Sequence, residues 1–258
     1  MMTYYADESY DGVTFCVGGW LYDTDGWKKI ERRWNRRIEY EQRRSIKRGE
    51  TPISRFHAAD CSNRRGEFYG WSVLRQTQFF KKLIGIVCDY QVVGIAWGTS
   101  FTDLKEHFPD YKQKKAQDVL YYLCMQQCLG DLAGIMYRSY PGERVTVFHD
   151  SGFNGTALAA LEKYRRDRPD ASRSILTIAP LEWKDSIALQ PADLMAYEGA
   201  KACFRHRSNI QEMRRSLHKL LDSKDVSLSV GYLDESTFKS ARETAEERGL
   251  LPHLARDF

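Results

Sequence analysis

Several large protein classes are excluded by what this sequence lacks. Its 258 residues contain no run of eighteen apolar residues, so we expect no transmembrane helix. The first residues, MMTYYADES, lack the basic start and the apolar stretch of a secretion signal and are more typical of a β-strand. The six cysteines are scattered and form no CxxC pair, which favours reduced thiols over a disulfide framework. These absences predict a cytoplasmic protein with no membrane partner.

Common catalytic signatures are also missing. The chain has neither the P-loop that binds nucleotide phosphates nor the GxSxG nucleophile motif. Residues 7–12 open like a calcium-binding loop, but Gly18 stands where such a loop would end in Glu. The Asp-Ser-Gly triplet at 150–152 is that of aspartic proteases, yet a helical pattern follows it rather than another hairpin. An acid protease therefore stays a minor alternative.

What the sequence does contain is enough apolar material for a large core. Hydrophobic residues make up 42% and aromatic residues 13% of the chain, which predicts a single domain over 1–258. The formal net charge is only +4, so total charge by itself does not indicate a nucleic-acid partner.

Positive charge is concentrated in one segment. Residues 28–48 contain ten Lys or Arg and three Glu. Apolar residues recur there at steps of three and four, which predicts an amphipathic helical insertion over about 25–48: Trp27, Ile30, Trp34 and Ile38. Arg33, Arg37 and Arg44 then lie along one side, where they could follow a nucleic-acid backbone, RNA or DNA. The alternative is that these arginines pair with Glu31, Glu39 or Glu41 on a solvated helix.

Strands and helices alternate over much of the chain. TYYAD at 3–7 and VTFCVGGW at 13–20 predict a hairpin around Asp-Gly, and 53–57 is either a short strand or a loop. Further strands are predicted at 91–97, 145–148 and 175–179, with helices near 70–88, 112–137, 154–165 and 191–204. Pro191 is expected at the first position of the last of these. A helical extension over about 208–258 should contain helices near 208–222 and 234–248, with Asp234 as N-cap and Gly249 as stop. The pattern predicts an α/β fold with a mixed sheet flanked by helices.

Three acidic residues occupy the ends of predicted elements. Asp7 closes the first strand, Asp150 follows a buried strand and Asp193 starts a late helix. Gathered carboxylates repel one another, and a hard divalent cation such as Mg²⁺ or Mn²⁺ offsets that cost. Two such ions can cleave a phosphodiester. Each Asp taken alone is more typical of a turn or a cap than of a metal ligand. Glu8 should point away from Asp7, because side chains alternate along a strand.

Four short motifs resemble one known family. They are DES at 7–9, FHAAD at 56–60, the strand followed by Asp at 145–150, and KDSIALQPADLMAY at 184–197. Together they resemble the bacterial and phage family called "domain of unknown function 3800", over about residues 3–204. The resemblance implies a ribonuclease H-like fold with Asp7, Asp150 and Asp193 as its acidic cluster. It also implies secondary candidates near the site: Glu8, His57, Asp60 and Asp185.

Two of these neighbouring residues have specific alternatives. His57 could shuttle a proton at the site, or it could be a structural histidine. Gln190 could hydrogen-bond near the site or simply cap its helix. The leading functional hypothesis is a metal-dependent nuclease that uses two ions, and the alternative is a non-catalytic module that binds nucleic acid or a partner protein.

Overall fold

A six-stranded sheet forms the centre of the protein, in a computed structural model that describes residues 1–247. The strands are β1 (Met2–Tyr10), β2 (Thr14–Asp23), β3 (Val92–Ser100), β4 (Val145–Asp150), β5 (Ile175–Leu181) and β6 (Val226–Leu233). The helices are α1 (Thr24–Lys47), α2 (Ala58–Asn63), α3 (Val73–Cys88), α4 (Phe101–His107), α5 (Gln113–Ser139), α6 (Asn154–Asp167), α7 (Leu189–Arg207), α8 (Arg215–Leu221) and α9 (Glu235–Glu247).

The sheet is mixed, as the sequence predicted. Its strand order is β5-β4-β1-β2-β3-β6. Strands β1, β2 and β3 pair antiparallel in sequence order, whereas β4 runs parallel to β1, β5 parallel to β4, and β6 parallel to β3. The carboxyl ends of β1, β4 and β5 therefore meet at one edge, where loops can assemble a site.

Helices cover both faces of the sheet. Helices α5 and α6 pack in one hydrophobic core, and α1, α3 and α7 pack in the other. The predicted stripe on α1 is buried in the second core, with Trp34 fully enclosed. Helix α1 begins where the Asp23 side chain accepts hydrogen bonds from the backbone N–H groups of Asp25 and Gly26. None of the helices in residues 1–247 is long and apolar enough to cross a membrane.

Helix α7 lies unusually close to the sheet because glycines face it. A Cβ on Gly18 of β2 would lie 2.9 Å from the Cα and N atoms of Ala196. A Cβ on Gly199 of α7 would lie 2.6 Å from the Cβ of Ala96 in β3. The helix backbone therefore rests almost directly on the strands, which fixes the height of every side chain that it presents to the sheet.

The sequence predicted a C-terminal extension made of helices alone, and this prediction is wrong in one respect because the extension contains β6. This strand pairs with β3 and forms one edge of the sheet. Its sequence VSLSVGYL alternates apolar and small polar residues, and most of it is only half-buried, so no apolar run marks it. The helix predicted near 208–222 shortens to α8.

Several local predictions also need adjustment. Residues 53–57 form a loop, and Pro191 is the third residue of α7 rather than the first. The Asp234 side chain accepts a hydrogen bond from the N–H of Ser236, as expected of an N-cap. Gly249, the predicted stop, lies outside the described residues, as does the rest of the predicted extension beyond 247.

Candidate functional site

The edge where β1 and β4 end holds two of the predicted acids. The last residues in register between these parallel strands are Ala6 and His149, so Asp7 and Asp150 come next to each other. Strand β1 does not end at Asp7, as the sequence suggested, but continues to Tyr10 with β2 as its partner. Since β4 stops at Asp150, β1 is bordered by a strand on one side only from this point.

Helix α7 brings the third acid to the same place. Asp193 is 6% exposed, and its Oδ2 accepts a hydrogen bond of 2.7 Å from the N–H of Ala58. Its charge, together with those of Glu8 and Asp150, acts on Asp7. Three acids that are far apart in sequence are therefore electrostatically linked at one edge of the sheet.

Glu8 belongs to this group, contrary to the expectation that it faces away. Its Oε1 and the Oδ1 of Asp150 both lie within 4 Å of the point that a Cβ on Gly152 would occupy, at 3.7 and 3.6 Å. Its Oε2 is buried and has no hydrogen-bond partner among the described residues. Side-chain alternation does not exclude Glu8 from the site, because β4 ends at Asp150 and the longer glutamate side chain can reach Asp150 from the other face. We call Asp7, Glu8, Asp150 and Asp193 the acidic cluster.

Burial and mutual repulsion raise the pKa values of three of these carboxyls. Burial raises the pKa of Glu8 to about 8, and the charge of Asp150 adds to the effect. Burial raises the pKa of Asp7 well above its ordinary value, followed by the charges of Glu8, Asp193 and Asp150. For Asp193 burial raises the pKa to about 6, although the charges of His57 and Arg55 and the Ala58 N–H oppose it. Without a cation, part of the cluster therefore holds protons near neutral pH.

The loop that precedes α2 lies against Asp193. The Nδ1 of His57 is 2.9 Å from the Oδ2 of Asp60, a distance in ion-pair range although outside hydrogen-bond geometry. The loop is anchored by Gln190, whose Oε1 accepts hydrogen bonds from the Phe56 N–H at 2.9 Å and the Trp34 Nε1 at 3.1 Å. Gln190 therefore fastens this loop to α1 and α7, and it neither caps its helix nor joins the acids.

Asp185, the remaining secondary candidate, is placed differently. It is exposed in a turn after β5, where its backbone N–H donates to the carbonyl of Glu182 at 2.9 Å. Among the described residues, no hydrogen bond or ion pair joins its side chain to the acidic cluster.

Two residues near the acidic cluster, Arg55 and Trp183, were not predicted from the sequence. The guanidinium carbon of Arg55 lies 3.8 Å from the centre of the Trp183 ring. The positive charge of Arg55 lowers the pKa of Asp193, which places this cation near the cluster. Both side chains sit in loops without periodicity, so only the assembled structure reveals the pair.

Buried aromatic and imidazole groups close the other side of the cluster. Burial raises the pKa of Tyr121 of α5, and the charge of Glu8 is the next largest cause. His149 is 1% exposed, and burial lowers its pKa. Its Nδ1 lies 2.7 Å from the carbonyl oxygen of Asp150. Tyr121 and His149 therefore place buried groups of α5 and β4 beside the carboxylates.

The three arginines predicted to bind nucleic acid lie elsewhere, on α1. Arg33 donates to Asp89 and to the Tyr90 hydroxyl. Arg37 donates to the buried Glu41, and the Nη1 of Arg44 is 3.6 Å from the same carboxylate. All three arginines thus have partners within the protein. For Arg37 and Arg44 the partner is Glu41, one of the three glutamates that the alternative interpretation of this helix named.

The donor chemistry of the acidic cluster suits a hard divalent cation, since carboxylate oxygens are the ligands that Mg²⁺ and Mn²⁺ prefer. The partnerless Oε2 of Glu8 also fits an unfilled ligand position. The arrangement is not that of an assembled centre, because no group of three or more His, Cys, Asp or Glu in residues 1–247 is placed to hold one ion. Ion binding would therefore require carboxylate side chains to rotate together.

Comparison with known proteins gives no guide to the activity. No family model matches the chain, and neither the curated proteins nor the solved structures include a match.

Proposed function

We propose that the protein is a divalent-metal-dependent nuclease with a ribonuclease H-like fold, and that the acidic cluster is its active site. The observation that carries the proposal is the convergence of four carboxylates from β1, β4 and α7 at one sheet edge, where the pKa values of Asp7, Glu8 and Asp193 are raised. Such repulsion is costly for folding, and it is typical of sites that bind a cation or move protons. The mixed α/β sheet is compatible with the fold that the sequence motifs imply.

The position of each residue at the acidic cluster suggests its role in the proposed cleavage. Asp7, Glu8, Asp150 and Asp193 would hold Mg²⁺ or Mn²⁺. When bound, such ions activate water and neutralise charge on a phosphodiester. His57, which lies within ion-pair distance of Asp60 and near Asp193, would act as the acid or base that transfers a proton. Arg55 can bind a phosphate oxygen with its planar fork while Trp183 supports its other face.

Cleavage of labelled RNA and DNA, single- and double-stranded, tests the proposal. We expect cleavage with Mg²⁺ or Mn²⁺ and none with EDTA. Asp7→Asn and Asp150→Asn should each lower the rate on the order of a thousandfold, because metal-bound charge stabilisation is worth several kcal/mol. Asp185→Asn is the matched control and should keep its rate, since Asp185 is exposed and outside the cluster. Metal-independent cleavage, or equal loss in all three variants, would contradict the proposal.

A second candidate is a non-catalytic ribonuclease H-like module that binds nucleic acid or a partner protein. The observation in its favour is that no three ligands surround one point in the described part of the chain. Calorimetric titration with Mn²⁺ separates the two candidates. A nuclease should take up Mn²⁺ in a way that Asp7→Asn and Asp150→Asn abolish, whereas a pure binder should give no such uptake.

A further inference from the structure

A groove between α1 and α3 concentrates positive charge. Helix α1 contributes four arginines to it: Arg33, Arg36, Arg37 and Arg44. Helix α3 contributes Lys81 and Lys82, and α8 adds Lys219. Asp89 is the one acidic side chain among the described residues that line the groove. Like charges placed this close repel one another, so the groove favours a bound polyanion.

The geometry of the two helices makes the groove long and straight. They run antiparallel, because Arg33 pairs with Asp89 at one end and Glu41 pairs with Arg75 at the other. The lining residues extend over 33–44 of α1 and 78–89 of α3. At 1.5 Å per residue that is a length of about 16 Å, enough to follow several phosphates of one strand.

The cations in the groove are not equivalent. Arg33, Arg37 and Arg44 already pair with Asp89 or Glu41. Arg36, Lys81 and Lys82 are exposed and form no ion pair with an acidic side chain in residues 1–247. The fourth unpaired cation, Lys219, is only half-exposed and donates to the carbonyl of Lys81. The paired arginines therefore shape the wall, and the three exposed, unpaired cations carry most of the charge that a ligand can neutralise.

An aromatic ring stands among these cations. Tyr40 lines the groove and is 51% exposed, and the guanidinium carbon of Arg37 lies 4.8 Å from its ring centre. An exposed ring beside a row of cations is the combination that holds unpaired bases along a backbone. A membrane surface fits less well, because Ile86 is the one aliphatic side chain among the described residues that line the groove, too few for insertion.

We propose that the groove between α1 and α3 binds single-stranded nucleic acid, with Arg36, Lys81 and Lys82 on phosphates and Tyr40 against a base. The groove is formed by different helices from the acidic cluster, so the proposal stands apart from the proposed cleavage. RNA and DNA share this chemistry, and both are arms of the test.

Binding of fluorescent single-stranded RNA and DNA, measured by anisotropy in EDTA, tests the proposal without any cleavage. The triple variant Arg36→Gln, Lys81→Gln and Lys82→Gln should bind about a hundredfold more weakly at 0.1 M salt. It should also flatten the slope of log affinity against log salt by about two units, since three phosphate contacts are lost. Tyr40→Leu should weaken binding about tenfold with little change in the salt slope.

Matched controls lie on the opposite face of the sheet. The triple variant Lys112→Gln, Lys114→Gln and Arg166→Gln removes the same charge from exposed positions at α5 and α6, and Tyr137→Leu removes a ring that is 83% exposed. Both controls should bind as the parent protein does. Equal loss in the two triple variants, no loss in the groove variant, or binding to anionic vesicles without binding to either nucleic acid would overturn the proposal. Loss of cleavage in other assays would leave these binding results unaffected.

Discussion

Two histidine–aspartate pairs among the described residues have similar distances but different surroundings. His57 lies 2.9 Å from Asp60, and His218 lies 2.6 Å from Asp222. The first pair is half-buried beside Asp193, whereas both members of the second are well exposed on α8. Only the first is positioned to exchange a proton with anything bound at the acidic cluster.

This difference makes His57 testable with a close control. His57→Ala should lower the turnover of the proposed nuclease by about a hundredfold or more, the usual contribution of a positioned acid or base. His218→Ala should leave turnover unchanged. The measurement is kcat for a short oligonucleotide under saturating Mg²⁺. Unchanged turnover in His57→Ala would return this residue to a structural role at the loop.

At the residue scale, the sequence identified the acids at element ends and some of their neighbours, such as Glu8 and His57, but not Arg55 and Trp183. Asp7, Asp150 and Asp193 stand out because each adjoins an apolar segment, and strand and helix ends converge in an α/β sheet. Glu8 was ranked below Asp7 because side chains alternate along a strand, but alternation does not keep a long side chain out of a site beyond the end of the neighbouring strand. Arg55 and Trp183 meet across two loops, and no local pattern predicts a contact between distant loops.

At the scale of elements, the close approach of α7 to β2 sets the position of Asp193. The absence of a side chain at Gly18 lets Ala196 come within contact of the strand backbone. Any Cβ there must push the helix outward, since backbone atoms on both sides cannot give way as a flexible side chain can. Asp193, less than one turn of helix from Ala196, would move with it.

A pair of Gly→Ala variants separates this effect from helix propensity. Gly18→Ala should lower the free energy of unfolding by about 1–3 kcal/mol, the usual range for overpacking. It should also weaken metal-dependent cleavage. Gly130→Ala, within α5 and with no atom within 4 Å of its added Cβ, should raise stability by up to about 1 kcal/mol. Urea denaturation of both variants measures the difference, and a stable, fully active Gly18→Ala protein would show that α7 need not lie so close.

The elements that the sequence predicted are those with strong periodicity or continuous apolar runs. Helix α1 has a four-membered buried stripe, and β4 is apolar over VTVF, so both were found close to their observed bounds. Strand β6 has neither feature, and its place in the sheet depends on pairing with β3 rather than on its own composition. Short helices such as α4 follow a strand directly and contain too few turns to show a period.

At the scale of the whole molecule, the acidic cluster makes stability depend on pH. The folded-state pKa of Glu8 is about 8 and that of Asp193 about 6, both above their ordinary values. Between about pH 4 and pH 8 the folded protein therefore binds more protons than the unfolded chain. The stability that this provides is fully present below the ordinary carboxyl pKa and is lost as pH rises through the folded values.

In EDTA we expect the free energy of unfolding to fall between pH 5 and pH 8.5, by an amount on the order of a few kcal/mol. Glu8→Gln should flatten this decline, and Asp7→Asn should raise the melting temperature near pH 8, because each relieves repulsion. Glu162→Gln, at an exposed position on α6, should leave the decline unchanged. Urea midpoints across this range provide the measurement, and stability that rises over the window in the parent protein would exclude raised carboxyl pKa values.

The pairing of β6 with β3 has a consequence for how the protein is made. Translation releases β3 long before residues 226–233, so the edge of β3 opposite β2 stays unpaired while α4 to α8 emerge from the ribosome. An open edge of this kind can recruit a strand from another chain. A nascent chain that stalls before residue 226 would thus carry most of its sheet with an uncovered border, and we expect such products to depend on chaperones until β6 is added.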